Sequence, residues 1–159
     1  MPSNKFFYWD ANMFLYYLND DPSKIPTLEA ILDDISNSNS DKIVTSVLSK
    51  VEVAWVASEK EKRALSTEDE ARIDAFWNDP SIIEMVDLNE EITHIARSLL
   101  RRSMSRGWDG LKPNDAIHLA TAEWVGAAEV HTFDTRLFRY SELIGLDIKE
   151  PVAQQPRLL

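Results

Sequence analysis

Short apolar runs, each closed by a polar or acidic residue, alternate with amphipathic helical stretches along this chain, and that alternation restricts the choice of fold more than anything else. Lys5 to Trp9 reads as a buried aromatic strand ended by Asp10. Ala11 to Leu18 reads as a helix with Phe14, Leu15 and Leu18 on one face, stopped at Asn19-Asp20-Asp21-Pro22. Thr27 to Ser36 is a second helix, and the polar run Asn37 to Asp41 a loop. Lys42 to Thr45 is a short strand, after which Ser46 opens a long helix that runs into charged residues 59–63. Thr67 with Glu70 has the spacing of a capping box, for a helix ending near Asp79-Pro80. Ser81 to Val86 is a third strand, and Asn89 caps a helix reaching about Ser105. Residues 107–110 form a turn, and Pro113 suits the first turn of the next helix. Glu129 to Phe133 is a fourth strand, Arg136 to Ile144 a short helix, and Leu146 to Lys149 a weak fifth strand.

Strands separated by helices predict an α/β fold, a parallel sheet covered by helices on both faces. The chain has 159 residues, enough for one domain with a full core, and no repeat or linker divides it. The expectation is a single domain over residues 1–150, with 151–159 a mobile tail that has little to bury. The N-terminal segment, a lone Lys5 and an apolar patch broken by Asp10 and Asn12, reads as neither signal peptide nor spanning helix. With no cysteine in the chain, disulfides, thiolate metal sites and cysteine nucleophiles are excluded. A cytoplasmic protein with no membrane association is the expectation.

In a parallel α/β fold, ligands bind beyond the carboxyl ends of the strands, where the strand order reverses. Asp10 and Asp134 fall at such ends, and Glu52 and Asp115 lie near the N-termini of helices that face the same rim. Taken singly, each acid has a plain structural reading. Asp10 and Asp134 can cap the helices that follow them, and Asp115 can complement a helix dipole. Glu52 resists that treatment, because it interrupts an apolar helix and burying an unpaired carboxylate is costly. Four acids on one rim repel each other unless a cation lies between them, and a site made only of carboxylates suits Mg²⁺ or Mn²⁺. No histidine pair has zinc-ligand spacing, and no glycine-rich phosphate loop can be written.

The remaining candidates are subordinate. His118 follows Asp115 by three residues on one helical face, as a supporting group or a helix residue with one satisfied nitrogen. His131 reads as packing, and His94 has no evident partner. Ser46 reads as a cap for the helix that carries Glu52. The formal net charge of −10 excludes a protein that coats nucleic acid non-specifically, since phosphate neutralisation dominates that affinity. A local basic rim can offset the field, and Arg97, Arg101, Arg102, Arg106, Arg136 and Arg139 are candidates for it. Trp108, in a glycine-flanked turn, is a candidate surface contact for a substrate or a protein partner.

The ordered set Tyr8-Trp9-Asp10-Ala11-Asn12, Thr45 to Glu52, Lys112 to Ala122 and Thr132-Phe133-Asp134 resembles the PIN-domain nucleases, most closely the VapC-type toxins of toxin–antitoxin pairs. The likeness runs from Asp10 to Asp134 in the family's order. It implies a three-layer PIN-like fold with a five-stranded parallel sheet, and a Mg²⁺- or Mn²⁺-dependent ribonuclease. Asp10, Glu52, Asp115 and Asp134 would be the catalytic, metal-binding acids, with Asn12, Ser46 and Thr132 in support. It also implies a homodimer and a small antitoxin partner. The acidic balance is uncommon for a nuclease, and His118 stands where an apolar or variable residue is expected. Two rival classes stay open: a non-catalytic PIN-like binding module, and an aspartate-based phosphotransferase using Asp10. Asp10-Ala11-Asn12 lacks the second acid of the latter class.

Overall fold

The computed structural model describes residues 4–62 and 64–152, and for 57–61 the backbone alone. Its elements run β1 (Phe6–Trp9), α1 (Ala11–Leu18), α2 (Ile25–Ser38), β2 (Lys42–Ser46), α3 (Leu48–Glu61), α4 (Thr67–Trp77) and β3 (Ile83–Val86). They continue as α5 (Glu90–Ser105), α6 (Pro113–Val125), β4 (Glu129–His131), a 3-10 helix (Thr135–Tyr140), α7 (Ser141–Ile144) and β5 (Asp147–Lys149). The expected tail falls at residues 151–159, of which 153–159 lie outside the described residues.

The five strands form one parallel sheet in the order β3-β2-β1-β4-β5. The chain steps outward from β1 to β3, then returns to place β4 on the other side of β1. The order therefore reverses between the carboxyl ends of β1 and β4, which opens a crevice there. Asp10 follows β1, and Thr132 and Asp134 follow β4.

Both faces of the sheet are buried, as the alternating side chains of a parallel strand require. Tyr8, Val44 and Val130 join one core with Leu99, Leu119 and Tyr140. Trp9, Ile43 and Ile83 join the other with Phe14, Leu28, Ile73 and Phe76. Trp9 is fully buried and packs on Phe14 at 5.7 Å and Phe76 at 6.3 Å between ring centroids. A core aromatic of this kind contributes enough that truncation to alanine costs about 3–5 kcal/mol.

Several boundaries move for local reasons. Ser66 rather than Thr67 caps α4, its hydroxyl accepting from Asp69 N at 3.1 Å, which makes Thr67 the first helical residue. The third strand starts at Ile83 rather than Ser81, because Ser81 N and Oγ both turn back onto Asp79 Oδ1. Ser46 ends β2 instead of opening α3, although its Oγ still accepts from Leu48 N at 3.1 Å. The helix expected over Arg136 to Ile144 divides into the 3-10 turn and α7. Among the described residues, no helix is long and apolar enough to cross a membrane.

Candidate metal centre

Asp10 ends β1 and caps α1, its Oδ1 accepting from Met13 N at 3.4 Å. The opposite oxygen, Oδ2, accepts from Thr132 Oγ1 at 2.7 Å, and Thr132 Oγ1 itself accepts from Asp134 N at 3.1 Å. The threonine thus couples the ends of β1 and β4 across the crevice. Only 6% of Asp10 is exposed. Burial lifts its carboxyl to about 6, Asp115 adds to the rise, and His118, Thr132 and Met13 oppose it. A group in this position gains from a nearby cation. The capping role and the functional role are compatible here.

Glu52 projects from the first turns of α3. Its Oε1 meets His118 Nε2 at 2.5 Å, and its Oε2 accepts from Asn114 Nδ2 at 3.0 Å. On its far side, His118 Nδ1 meets Tyr8 OH at 2.6 Å, and that hydroxyl accepts from Ser46 N at 3.2 Å. The Glu52 carboxylate can only accept, so Nε2–H of His118 donates to it, and the contact of Nδ1 with Tyr8 fixes the orientation of the ring. Burial pushes the Glu52 carboxyl up, but the hydrogen bonds from His118 and Asn114 outweigh it and hold the group below its usual range. His118 is therefore buried with both nitrogens engaged, one more than its sequence reading allowed.

Asp115 lies in the first turn of α6, placed by Pro113 at the helix start. Burial raises its carboxyl, the charges of Asp134 and Glu52 add to that, and His118 and Arg136 offset part of it. Among the described residues nothing donates a hydrogen bond to it. Asp134 is gripped by Arg136, whose Nε reaches Oδ1 at 2.9 Å and whose Nη2 reaches Oδ2 at 2.7 Å. That pairing holds Asp134 below the ordinary carboxylate range. Asp115 is thus the electrical hub of the four acids, coupled to each of the others.

Glu52, Asp115 and Asp134 line one cavity of about 480 Å³, together with Asn12, Asn114, Lys112 and Arg136. A second cavity of about 310 Å³ shares Asp115 and Arg136 with it and runs past Arg139 and Tyr140. Every acidic donor is an oxygen, which suits a hard cation. As placed, no three His, Asp or Glu side chains among the described residues stand close enough to hold an ion together. The buried Asp10 and the hydrogen-bond-free Asp115 nevertheless meet what Mg²⁺ commonly requires, one or two carboxylates with water completing the shell.

Residues 7–143 match the family model of the PIN domain. The chain belongs to the PIN domain family. Members of the family are generally nucleases that use divalent metal ions. Among solved structures, this PIN domain is similar to a chain of VapBC2 from Rickettsia felis bound to a DNA fragment from its promoter, at TM-score 0.71 and 16% identity over 91% of this chain and 98% of that one. It also resembles FitAcB from Neisseria gonorrhoeae, at TM-score 0.57 and 15% identity over 91% and 97%. FitAB bound to the IR36 DNA fragment is similar too, at TM-score 0.63 and 15% identity over 96% and 99%. A search of curated proteins gave no match. At these identities the structural likeness shows the fold, the five-stranded parallel PIN architecture expected from the motifs.

The remaining sequence candidates divide. Asn12 and Arg136 line the acid cavity. Thr132 binds Asp10, and Ser46 serves the start of α3. Arg102, Arg106 and Trp108 line neither cavity. Arg102 donates to Leu143 O at 3.2 Å, and Arg106 pairs with Glu142 at 2.9 Å. The Trp108 ring lies edge-on to Tyr140 and carries Arg106 and Arg139 on it at 5.0 and 5.2 Å. His131 packs as read, stacked on Phe7, while also accepting from Trp9 Nε1 at 3.2 Å and meeting Glu129 at 2.8 Å. His94 pairs with Glu90 one turn earlier, at 3.5 Å. Tyr8, Trp55, Lys112 and Asn114 join the site without having been singled out from the sequence. Asn114 is next to Asp115, Lys112 three residues before it and Tyr8 two before Asp10, so these three carry a signal of position and Trp55 carries none.

Proposed function

We propose that this PIN domain is a Mg²⁺- or Mn²⁺-dependent ribonuclease and the toxin component of a toxin–antitoxin pair. The observation that carries the reading is one cavity lined by Glu52, Asp115 and Asp134 at the point where strand order reverses, with the buried Asp10 coupled to it through Asp115. Asp10 and Asp115 would hold the ion, with Glu52 and Asp134 completing the site directly or through water. When bound, the ion supplies polarisation of the phosphate and a lower pKa for the attacking water.

The protein's own part is orientation and charge. His118 and Asn114 fix both Glu52 oxygens, so the carboxylate cannot swing away from the crevice. Thr132 fixes Asp10 in the same way. Lys112 and Arg136, on the cavity wall, attract the phosphate backbone toward the acids despite the net charge of −10. Structures of this fold include VapBC2 and FitAB toxin–antitoxin complexes, which supports a small antitoxin partner for this chain, and we take the chain to be a cytoplasmic homodimer.

One observation favours a second reading. With Asp134 held by Arg136 and no three acids convergent among the described residues, a non-catalytic binding module also fits. Purified protein incubated with single-stranded and structured RNAs, in Mg²⁺, Mn²⁺ or chelator, separates the two. Cleavage that needs metal and disappears in Asp10→Asn supports the ribonuclease. Folded protein that binds metal and cleaves none of the RNAs supports the module.

A further inference from the structure

Trp55 stands apart from the other large aromatics. Trp9, Phe14 and Trp77 are in the core, Trp108 is covered by Tyr140 and two arginines, and Trp124 donates its Nε1 to Glu91. Trp55 is 58% exposed, and its ring has no aromatic, cationic or hydrogen-bonding partner among the described residues. It sits three residues after Glu52 on α3, so both project toward the same side of the helix. Val51, four residues before it and 67% exposed, extends the same apolar strip. Both residues line the acid cavity.

The wall around that strip is mixed in a particular way. The Asn12 amide makes no hydrogen bond among the described residues, and Asn114, which spends its Nδ2 on Glu52, has an unused Oδ1. Lys112 and Arg136 supply positive charge beside them. An indole face, free amide groups and cations within about 480 Å³ match a base, its edges and its phosphate. An apolar side chain from a protein partner would use the indole and leave the amides unpaired.

We infer that Trp55, backed by Val51, is a stacking subsite for one unstacked base next to the phosphate held over the acids, and that the substrate strand is single-stranded there. The inference rests on the nuclease reading for its neighbour site. A paired A-form helix keeps its base faces stacked inside, so it offers Trp55 nothing to cover.

The test uses the full chain in an Asp10→Asn background with Mg²⁺ at low ionic strength, so that binding is read without turnover. Fluorescence anisotropy is recorded with a labelled single-stranded RNA, with the same strand as an RNA duplex, and with a strand of abasic ribose phosphates. Trp55→Ala should weaken single-strand binding about tenfold, the order expected for one lost base–ring stack. Trp55→Phe should retain most of it. The two variants should bind the abasic strand as the parent does, and circular dichroism should be unchanged because the side chain is exposed. Equal single-strand affinity in Trp55→Ala and the parent overturns the subsite, as does no base-dependent binding by the parent. Base-dependent binding by a wild-type protein that cleaves nothing would retain the subsite while removing the nuclease.

Discussion

His118 joins Tyr8 to Glu52, holding the tyrosine hydroxyl at 2.6 Å on Nδ1 and the Glu52 carboxylate at 2.5 Å on Nε2. The three residues come from β1, α3 and α6, so the Glu52 position depends on the packing of both sides of the sheet. Second-row partners that orient a metal-site group commonly contribute 10- to 100-fold to affinity or activity.

His118→Ala is therefore predicted to lower kcat on a cleavable RNA by roughly 10- to 100-fold with a smaller change in KM. His118→Gln, which can still donate to Glu52, should recover part of the loss. Steady-state kinetics of the two variants decide this. Equal rates in both variants and the parent would mean that Glu52 needs no such support.

Asp10 supplies a prediction about stability and pH. Its carboxyl is raised from 3.8 to about 6 in the fold. A raised folded pKa favours the native state at acidic pH, where the group is protonated, and that contribution is lost as pH climbs from about 4 to about 6. Asp10→Asn removes the ionisation while keeping an acceptor for the cap. In chelator, the variant should gain on wild type across that window and stay ahead by on the order of 2–3 kcal/mol above it. Urea unfolding at pH 4, 5, 6 and 7 measures the difference. A gap independent of pH would place the effect elsewhere.

Arg136 holds Asp134 with two side-chain hydrogen bonds, yet its side chain is 72% exposed. An ion pair this open contributes about 1 kcal/mol or less to folding. Arg136→Ala should leave the urea midpoint almost unchanged. It should also free Asp134 for the cation, tightening Mn²⁺ binding, while raising KM for RNA through loss of a phosphate-facing charge. Calorimetric Mn²⁺ titration and cleavage kinetics on the same preparation test both signs. Weaker Mn²⁺ binding in the variant would show that the arginine assists the site instead of competing with it.

The fold was legible because its signals are local and redundant. The first strand, Phe6–Trp9, is a short apolar run, the edge strand Asp147–Lys149 has only Ile148 to mark it, and helix starts at Asn89 and Pro113 carry their own local signals. The acids were legible for a related reason: a polar residue closing a buried strand needs a purpose, and Glu52 inside an apolar helix needs a partner. That partner, His118, is 66 residues away and could not be paired from spacing alone. For Arg102 and Arg106, nearness to Asp115 in sequence says nothing of direction, and the structure turns them to Leu143 and Glu142, outside the two cavities that Asp115 lines. Trp55 went unnoticed because an exposed tryptophan in a helix looks like core until its neighbours are known.

Calorimetric titration of the metal-freed protein with Mn²⁺, run on wild type, Asp10→Asn and Asp115→Asn, asks whether these two carboxylates hold one cation. Wild type should bind saturably, and each single variant should bind about tenfold more weakly or worse, because the two carboxylates share one cation. Wild-type binding in both variants would contradict it, and the four acids would then be structural groups that happen to face one crevice.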